Sequence, residues 1–387
     1  MITAGARPYE YNGFKFFSTN GSPEDDDIAE ILRLASRYTF IGGVYDDEST
    51  NIMPFYAAYL RQMITQGLKD VPGYLKGMHI VVDAGNGSAG FFADNVLKPL
   101  GADISGSINL EPDGTFPNHS PDPGDKEALE CICRAVKESD ADLGIVFDAD
   151  GDRISVAAPG GVPITGNELI ALASALASED YPDGTVVTDS TTSDELHEFL
   201  EKRLGLKHCR YKRGYRNVIN KAVELSSAGE NAFLAIETSG QAAYSDNYYL
   251  NDGAFLAVQI VINAVRLKAE GKDISALIDG LRQPAESKEI RFRIKTDDFK
   301  AYGAGVLEDF EKWADYSRKM KLVKPNYEGV RVSYDLDGAK GWFLLRMSLH
   351  GSEMVLNAES DTPGGTDKAL EEIHRFMENY KCIMIRN

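Results

Sequence analysis

The sequence predicts an α/β protein of several duplicated α/β domains with mixed sheets, closed by a C-terminal α+β domain. Short apolar runs alternate with amphipathic stretches along most of the chain, the pattern of strands interleaved with helices. A run–turn–helix unit recurs three times: Met1-Ile2-Thr3-Ala4, His79-Ile80-Val81-Val82-Asp83 and Thr185-Val186-Val187-Thr188-Asp189 each lead through small polar residues into a helical stretch. After residue 288 the pattern changes, with strand-like runs at Glu289 to Ile294 and Gly341 to Met347 bracketing helices. At 387 residues the chain exceeds one ordinary core.

Taken in order, the first unit starts as a strand at Met1 and enters a helix at Ser22-Pro23-Glu24-Asp25. Ser22 caps, Pro23 suits the first turn, and the acids through Asp27 face the positive end of the helix dipole. Pro and Gly break the pattern at Asp70-Val71-Pro72-Gly73, Tyr181-Pro182-Asp183-Gly184 and Gln283-Pro284-Ala285. These breaks give expected domains at 1–70, 71–182, 183–286 and 287–387. A parallel domain that opens on Met1-Ile2-Thr3-Ala4 has no earlier strand to pair with, so exposed edges are expected there.

Composition narrows the function. A formal net charge of −19 argues against nucleic acid, whose binders carry a basic patch. It leaves room for a small anionic substrate, because Lys15, Arg153, Lys212, Arg213, Arg216 and Arg346 fall in or beside loops. No apolar run is long enough to span a bilayer and no basic-then-apolar leader is seen, so a cytoplasmic chain without a membrane partner is expected. The four cysteines fit reduced structural thiols: Cys131 and Cys133 lie two apart in a helical stretch and lack the spacing of a zinc site.

The sharpest motif is Asp148-Ala149-Asp150-Gly151-Asp152-Arg153, delivered by the apolar run Leu143 to Phe147. In extended chain, alternate residues project to one side, so three carboxylates converge. Two like charges ~4 Å apart cost about 4 kcal/mol at an effective dielectric near 20. A hard divalent cation removes that cost, and all-oxygen ligation suits Mg²⁺. Arg153 adds a fixed positive charge. An EF-hand is excluded by Arg153 and Pro159 at positions that need glycine and a bidentate acid. An aspartate-nucleophile phosphatase, with Asp148 attacking and Asp150 as acid/base, is the enzyme alternative; the third aspartate and Arg153 fit it less well.

Three further stretches carry binding chemistry. Glu237-Thr238-Ser239-Gly240-Gln241 sets a carboxylate and a hydroxyl two apart, a pair suited to vicinal sugar hydroxyls. Lys212-Arg213-Gly214-Tyr215-Arg216 clusters three cations around a glycine, as a solvated turn or an anion site. Arg346-Met347-Ser348 ends an apolar run with a guanidinium and a hydroxyl, groups that suit a phosphate or a surface acid. The literal GxGxxG at Gly85 to Gly90 is a weak dinucleotide signal, since Asp83 sits just ahead of it and Pro112-Asp113-Gly114 follows.

Together these stretches resemble the loops of the phosphoglucomutase/phosphomannomutase family. Thr3-Ala4-Gly5-Ala6-Arg7-Pro8, followed by Tyr11-Asn12-Gly13-Phe14-Lys15, resembles that family's phosphoserine loop, with Gly5 in the serine's place and Ala6 in the histidine's. The resemblance implies a shortened catalytic-loop domain at 1–70, a metal-binding domain, a sugar-binding domain and a phosphate-binding C-terminal domain. It implies Mg²⁺ on Asp148, Asp150 and Asp152, with Arg153 in support and Lys15 at the catalytic loop. It also implies a hexose phosphate (glucose or mannose phosphate, passing through a bisphosphate) held by Lys212, Arg213, Gly214, Tyr215, Glu237, Ser239, Arg346 and Ser348. Gln241 departs from the family's histidine, and Leu349-His350-Gly351 from its last loop.

Because glycine carries no hydroxyl, turnover is doubtful on this reading. The expectation is binding of Mg²⁺ and sugar phosphate, with a non-catalytic subunit completed by a second copy or another chain as the alternative. Thr3 is the neighbouring hydroxyl. In extended chain it points to the same side as Gly5 but ~6.6 Å away, so it serves only if the loop bends.

Overall fold

The computed structural model describes the whole chain except residues 6, 8, 17–22, 24, 40–49, 349–350 and 386–387. The expected helix start at Ser22 and Glu24 therefore lies outside the described residues, as do Ala6, Leu349 and His350. The described chain is mixed α/β, as expected, and falls into two units. One holds Met1–Val187, Gly205–Lys207 and Gly214–Asp279; the other holds Thr188–Leu204, His208–Arg213 and Gly280–Asn387.

In the first unit, strand Ile80–Asp83 lies parallel to Leu143–Phe147, which turns back antiparallel into Ile154–Ala158 and then Val162–Ile164. The two parallel strands are buried along their whole length, which explains their unbroken apolar sequence. Helix Lys126–Ser139, capped by the Asp125 carboxylate, packs Ala128, Ile132 and Val136 onto this sheet. Gly144 is required beneath it, because a Cβ there would lie 2.4 Å from Val136 Cγ2. A second sheet contributes the antiparallel pair Leu234–Ile236 and Ala242–Tyr244. Helix Gly253–Ala269, nearly all buried and capped by Asp252, packs against helix Met53–Gly67. Gly67 admits that approach: its Cβ would meet Ile262 Cδ1 at 2.7 Å.

The amino-terminal stretch differs from the rest of this unit. Met1 to Ala4 is not a strand; Ile2 makes one isolated bridge to Phe14, and Gly5 takes a left-handed φ of +58°. Ile2, Phe14 and Phe55 stay exposed. Among the described residues the run pairs with its own continuation, Thr3 N–H donating to the Gly13 carbonyl at 3.0 Å and Lys15 N–H to the Met1 carbonyl at 2.9 Å.

The second unit is a six-stranded antiparallel sheet in the order Met320–Leu322, Val330–Leu336, Ala339–Met347, Glu353–Ser360, Glu286–Ile294, Ile383–Ile385. Helices Phe299–Tyr316 and Gly365–Met377 share its core, centred on Phe292, Phe310, Phe343 and Phe376. Away from this core the sheet buries charge. Arg331 is 2% exposed; it stacks on Trp342 at 3.6 Å and donates to the Ser190 and Thr192 carbonyls and to Asp194. Glu359, which accepts from the Trp342 indole at 2.8 Å, is pushed up to about 7 by burial, with Glu195 adding to the shift.

That buried acid sets a pH dependence. A carboxyl whose folded pKa lies above its ordinary value of 4.5 favours the fold while protonated. The contribution is full below pH 4.5 and is lost as pH rises through about 7. Glu359→Gln is expected to melt above the parent at pH 8, with the gap closing by pH 5; a pH-independent difference in melting scans would refute this assignment.

Candidate functional site

Asp148, Asp150 and Asp152 sit on the turn between strands Leu143–Phe147 and Ile154–Ala158. Their convergence does not come from strand alternation, as the sequence spacing suggested. The segment is a tight turn closed by Asp148 N–H to the Arg153 carbonyl at 3.2 Å and Gly151 N–H to the Asp148 carbonyl at 3.2 Å. Gly151 supplies the left-handed φ of +76° that the turn needs. One carboxylate oxygen from each aspartate lies within 4.8 Å of the others.

Two cations hold the acids together. Arg153 donates through its backbone N–H and its Nε to the two oxygens of Asp148, at 3.1 Å each, and reaches Asp122 at 3.5 Å. Lys15 Nζ bridges Asp150 Oδ2 and Asp152 Oδ2, at 2.7 Å each. Burial works against the lysine's charge, but Asp152 and Asp150 hold its ammonium above the ordinary lysine range. Burial, with Asp152 and Asp150 beside it, raises Asp148 well above a normal carboxyl. Asp150 moves the other way: burial opposes its charge, and the Lys15 hydrogen bond overrides it.

The oxygens left over are informative. Asp150 Oδ1 and Asp152 Oδ1 are buried without a hydrogen-bond partner, while their Oδ2 atoms carry the contacts with Lys15. Buried carboxylate oxygens without donors are costly unless a cation takes them. An all-oxygen set of this kind fits Mg²⁺.

The neighbouring loops are fastened to this turn. The glycine run at Gly85 to Gly90 packs on it: a Cβ at Gly87 would fall 2.5 Å from the Ala149 carbonyl oxygen, and Ser88 N–H donates to that carbonyl at 2.8 Å. That contact explains the glycine without a dinucleotide. The Glu237 to Gln241 loop joins the opposite side, with Ile154 N–H donating to the Gly240 carbonyl at 3.3 Å. Gly240, at φ +88°, leaves only 2.3 Å between a Cβ and the Ile154 carbonyl oxygen.

Glu237 is buried and accepts Gly214 N–H at 2.7 Å, which brings two of the expected sugar-contacting segments together. Ser239 Oγ is buried with no hydrogen-bond partner. The Tyr215 ring lies 6.0 Å from Lys15 Nζ. Gln241 and Asn251 donate to Asp152 Oδ2, at 3.3 and 2.9 Å, and Tyr56 donates to Asp252 at 2.6 Å. These last roles had no signal in the sequence, because each rests on a contact across at least 89 positions. A cavity of about 380 Å³ opens here, lined among others by Lys15, Tyr56, Asp150, Asp152, Tyr215 and Asn251.

In the second unit, Arg346 is buried at 3% exposure and its Nε has no hydrogen-bond partner. Burial and then the nearby Arg213 lower its pKa. Arg213 N–H donates to Glu328 at 3.2 Å, and Ser190 Oγ donates to the same carboxylate. Ser348 N–H donates to the Glu353 carbonyl at 2.8 Å. Lys212 Nζ lies 6.0 Å from the Tyr211 ring. Two repelling guanidiniums, one with a buried donor unmet, suit an anion. The phosphatase alternative finds no support: Asp148 is wholly buried with both oxygens on Arg153.

The charge balance can be probed directly. Lys15→Met is expected to lower the melting temperature in chelator, because Asp150 and Asp152 lose their counter-ion. The same variant should bind Mg²⁺ about tenfold tighter by calorimetry, on the order of 1.4 kcal/mol, because a neighbouring cation is gone. Asp152→Asn should abolish the Mg²⁺-induced thermal shift; unchanged shifts in both variants would place the metal elsewhere.

Two family models match, phosphoglucomutase/phosphomannomutase alpha/beta/alpha domain II over residues 57–161 and domain III over residues 165–284. The chain is 28% identical over 380 residues to a phosphomannomutase/phosphoglucomutase of Pseudomonas aeruginosa, covering 98% of this chain and 75% of that one. It is similar to the crystal structure of a phosphoglucomutase/phosphomannomutase family protein from Burkholderia thailandensis, with TM-score 0.77, 25% identity, and 98% and 75% of the two chains covered. A fold likeness extends to Aspergillus fumigatus N-acetylphosphoglucosamine mutase, solved in complex with GlcNAc-6P and magnesium, at TM-score 0.60 and 13% identity over 98% and 88% of the chains. The chain belongs to the phosphoglucomutase/phosphomannomutase family.

Proposed function

We propose that this chain binds Mg²⁺ and a hexose phosphate for phosphoryl transfer between the sugar's 1- and 6-positions. The observation that carries this reading is the pair of buried, unpartnered oxygens on Asp150 and Asp152, on a turn already anchored by Arg153 and Lys15. Family membership supplies the reaction class, and the magnesium-bound Aspergillus mutase supports the choice of ion.

In this reading Asp148, Asp150 and Asp152 hold the metal, which when bound neutralises charge on a transferring phosphoryl group. Arg153 fixes the shape of the turn by gripping Asp148. Lys15 adds a second positive charge facing the cavity. Glu237 and Ser239 address sugar hydroxyls, with Gly214 and Tyr215 beside them; Glu237 is held by Gly214 N–H. Arg346, Arg213, Lys212 and Ser348 serve a phosphate, and the unmet Nε of Arg346 supports that assignment. Gly5 occupies the phosphoserine's place, so transfer by the native chain needs another hydroxyl. Among the described residues, a Cβ at Gly5 would meet only Arg153 Nη2, at 3.9 Å. A serine therefore fits at the cost of about 1 kcal/mol for the left-handed φ.

Calorimetry with glucose 1-phosphate and Mg²⁺ tests the binding claim. Arg346→Ala is expected to weaken binding about 10- to 100-fold, the loss of one charged hydrogen-bonding group at 1.5–3 kcal/mol. In a coupled assay primed with glucose 1,6-bisphosphate, Gly5→Ser should turn over faster than the parent. Absence of binding to glucose, mannose and N-acetylglucosamine phosphates alike would overturn the reading.

A further inference from the structure

We propose that Thr3 is the phosphoryl-accepting hydroxyl of this chain, taking a phosphoryl group from a sugar bisphosphate. The inference rests on the Mg²⁺ and sugar-phosphate reading above. In extended chain the Thr3 side chain lies well short of the position that Gly5 leaves empty. In the folded chain the Gly5 N–H donates to Thr3 Oγ1 at 3.0 Å, and Gly5 itself takes a left-handed φ of +58°. Thr3 Oγ1 then donates to Asp150 Oδ2 at 3.2 Å. The same carboxylate oxygen accepts Lys15 Nζ, while Asp150 Oδ1 is the buried, unpartnered atom offered to the cation.

The hydrogen-bond count of that hydroxyl suits a nucleophile. A threonine oxygen has one proton and two lone pairs. The proton points at a carboxylate, one lone pair is taken by the Gly5 amide, and one lone pair remains for attack. The carboxylate orients and accepts the proton, while Lys15 and the cation side of Asp150 supply the positive charge that a phosphoryl group requires. Among the described residues, Thr3 is the one whose side-chain hydroxyl is hydrogen-bonded to an aspartate of the triad.

The step balances. Thr3 Oγ1 forms a bond to the phosphorus of one ester of the bisphosphate as the bond from that phosphorus to the sugar oxygen breaks, its electron pair leaving on the sugar oxygen. The hydroxyl proton passes to Asp150 Oδ2, and the sugar oxygen takes a proton from solvent. The products are phosphothreonine and a hexose monophosphate, and no oxidant or further reactant is needed.

The test is intact-protein and peptide mass spectrometry on the full chain after incubation with Mg²⁺ and glucose 1,6-bisphosphate, beside calorimetry of the same sample. The expected result is a gain of one phosphoryl group on the Thr3 peptide. The gain should be lost in Thr3→Val and kept in Thr3→Ser, with both variants melting within a few degrees of the parent. A phosphoryl group found on another residue, or persisting in Thr3→Val, overturns the proposal. No gain in a parent chain that still binds Mg²⁺ and bisphosphate overturns it while leaving the binding function standing. No binding at all removes both.

Discussion

Three carboxylates forced into one turn are the constraint around which the first unit is arranged. At a few ångströms each ionised pair repels by about 4 kcal/mol at an effective dielectric near 20, a cost that neighbouring cations offset. Arg153 answers from within the turn and Lys15 from 133 positions earlier than Asp148. Around them the backbone is brought as close as glycine permits, at Gly87 against Ala149 and at Gly240 against Ile154. The cost of concentrating charge is thus met by position: both oxygens of Asp148 lie on Arg153, while Asp150 and Asp152 each place Oδ2 on Lys15 and keep an Oδ1 without a hydrogen bond.

The second unit handles charge differently. There two buried arginines each carry an Nε without a hydrogen-bond partner, but Arg331 is held by the Ser190 and Thr192 carbonyls, by Asp194 and by the face of Trp342. Arg346 instead donates to the Met347 carbonyl at 3.3 Å and has a second cation, Arg213, nearby. The contrast separates a structural guanidinium from one suited to a ligand. A buried guanidinium paired with a carboxylate fixes the fold, whereas one set beside a second cation suits an anion.

Much of this was legible in the sequence. The apolar run Leu143 to Phe147, the Thr185 to Asp189 strand and the late strands from Glu289 and Gly341 all lie in strands of the structure, because continuous burial leaves an unambiguous pattern. The aspartate triad was legible too, though for an incomplete reason: spacing suggested an extended strand, and a glycine-dependent turn performs the convergence. What could not be read were contacts set by tertiary approach. Gln241 and Asn251 reach Asp152 from loops distant in sequence, and Met1 to Ala4 reads as a strand yet finds only one bridge. The contact of Thr3 with Asp150 is likewise a tertiary approach, across 147 positions.

The central claim is that the Oδ1 atoms of Asp150 and Asp152, which lack hydrogen bonds, are cation ligands. Anomalous scattering from crystals grown with Mn²⁺ tests it most directly. The account predicts a single strong peak bonded to Asp148, Asp150 and Asp152, with Lys15 still on the Oδ2 side of Asp150. A triad free of metal at saturating Mn²⁺, with the peak on other residues, would contradict it.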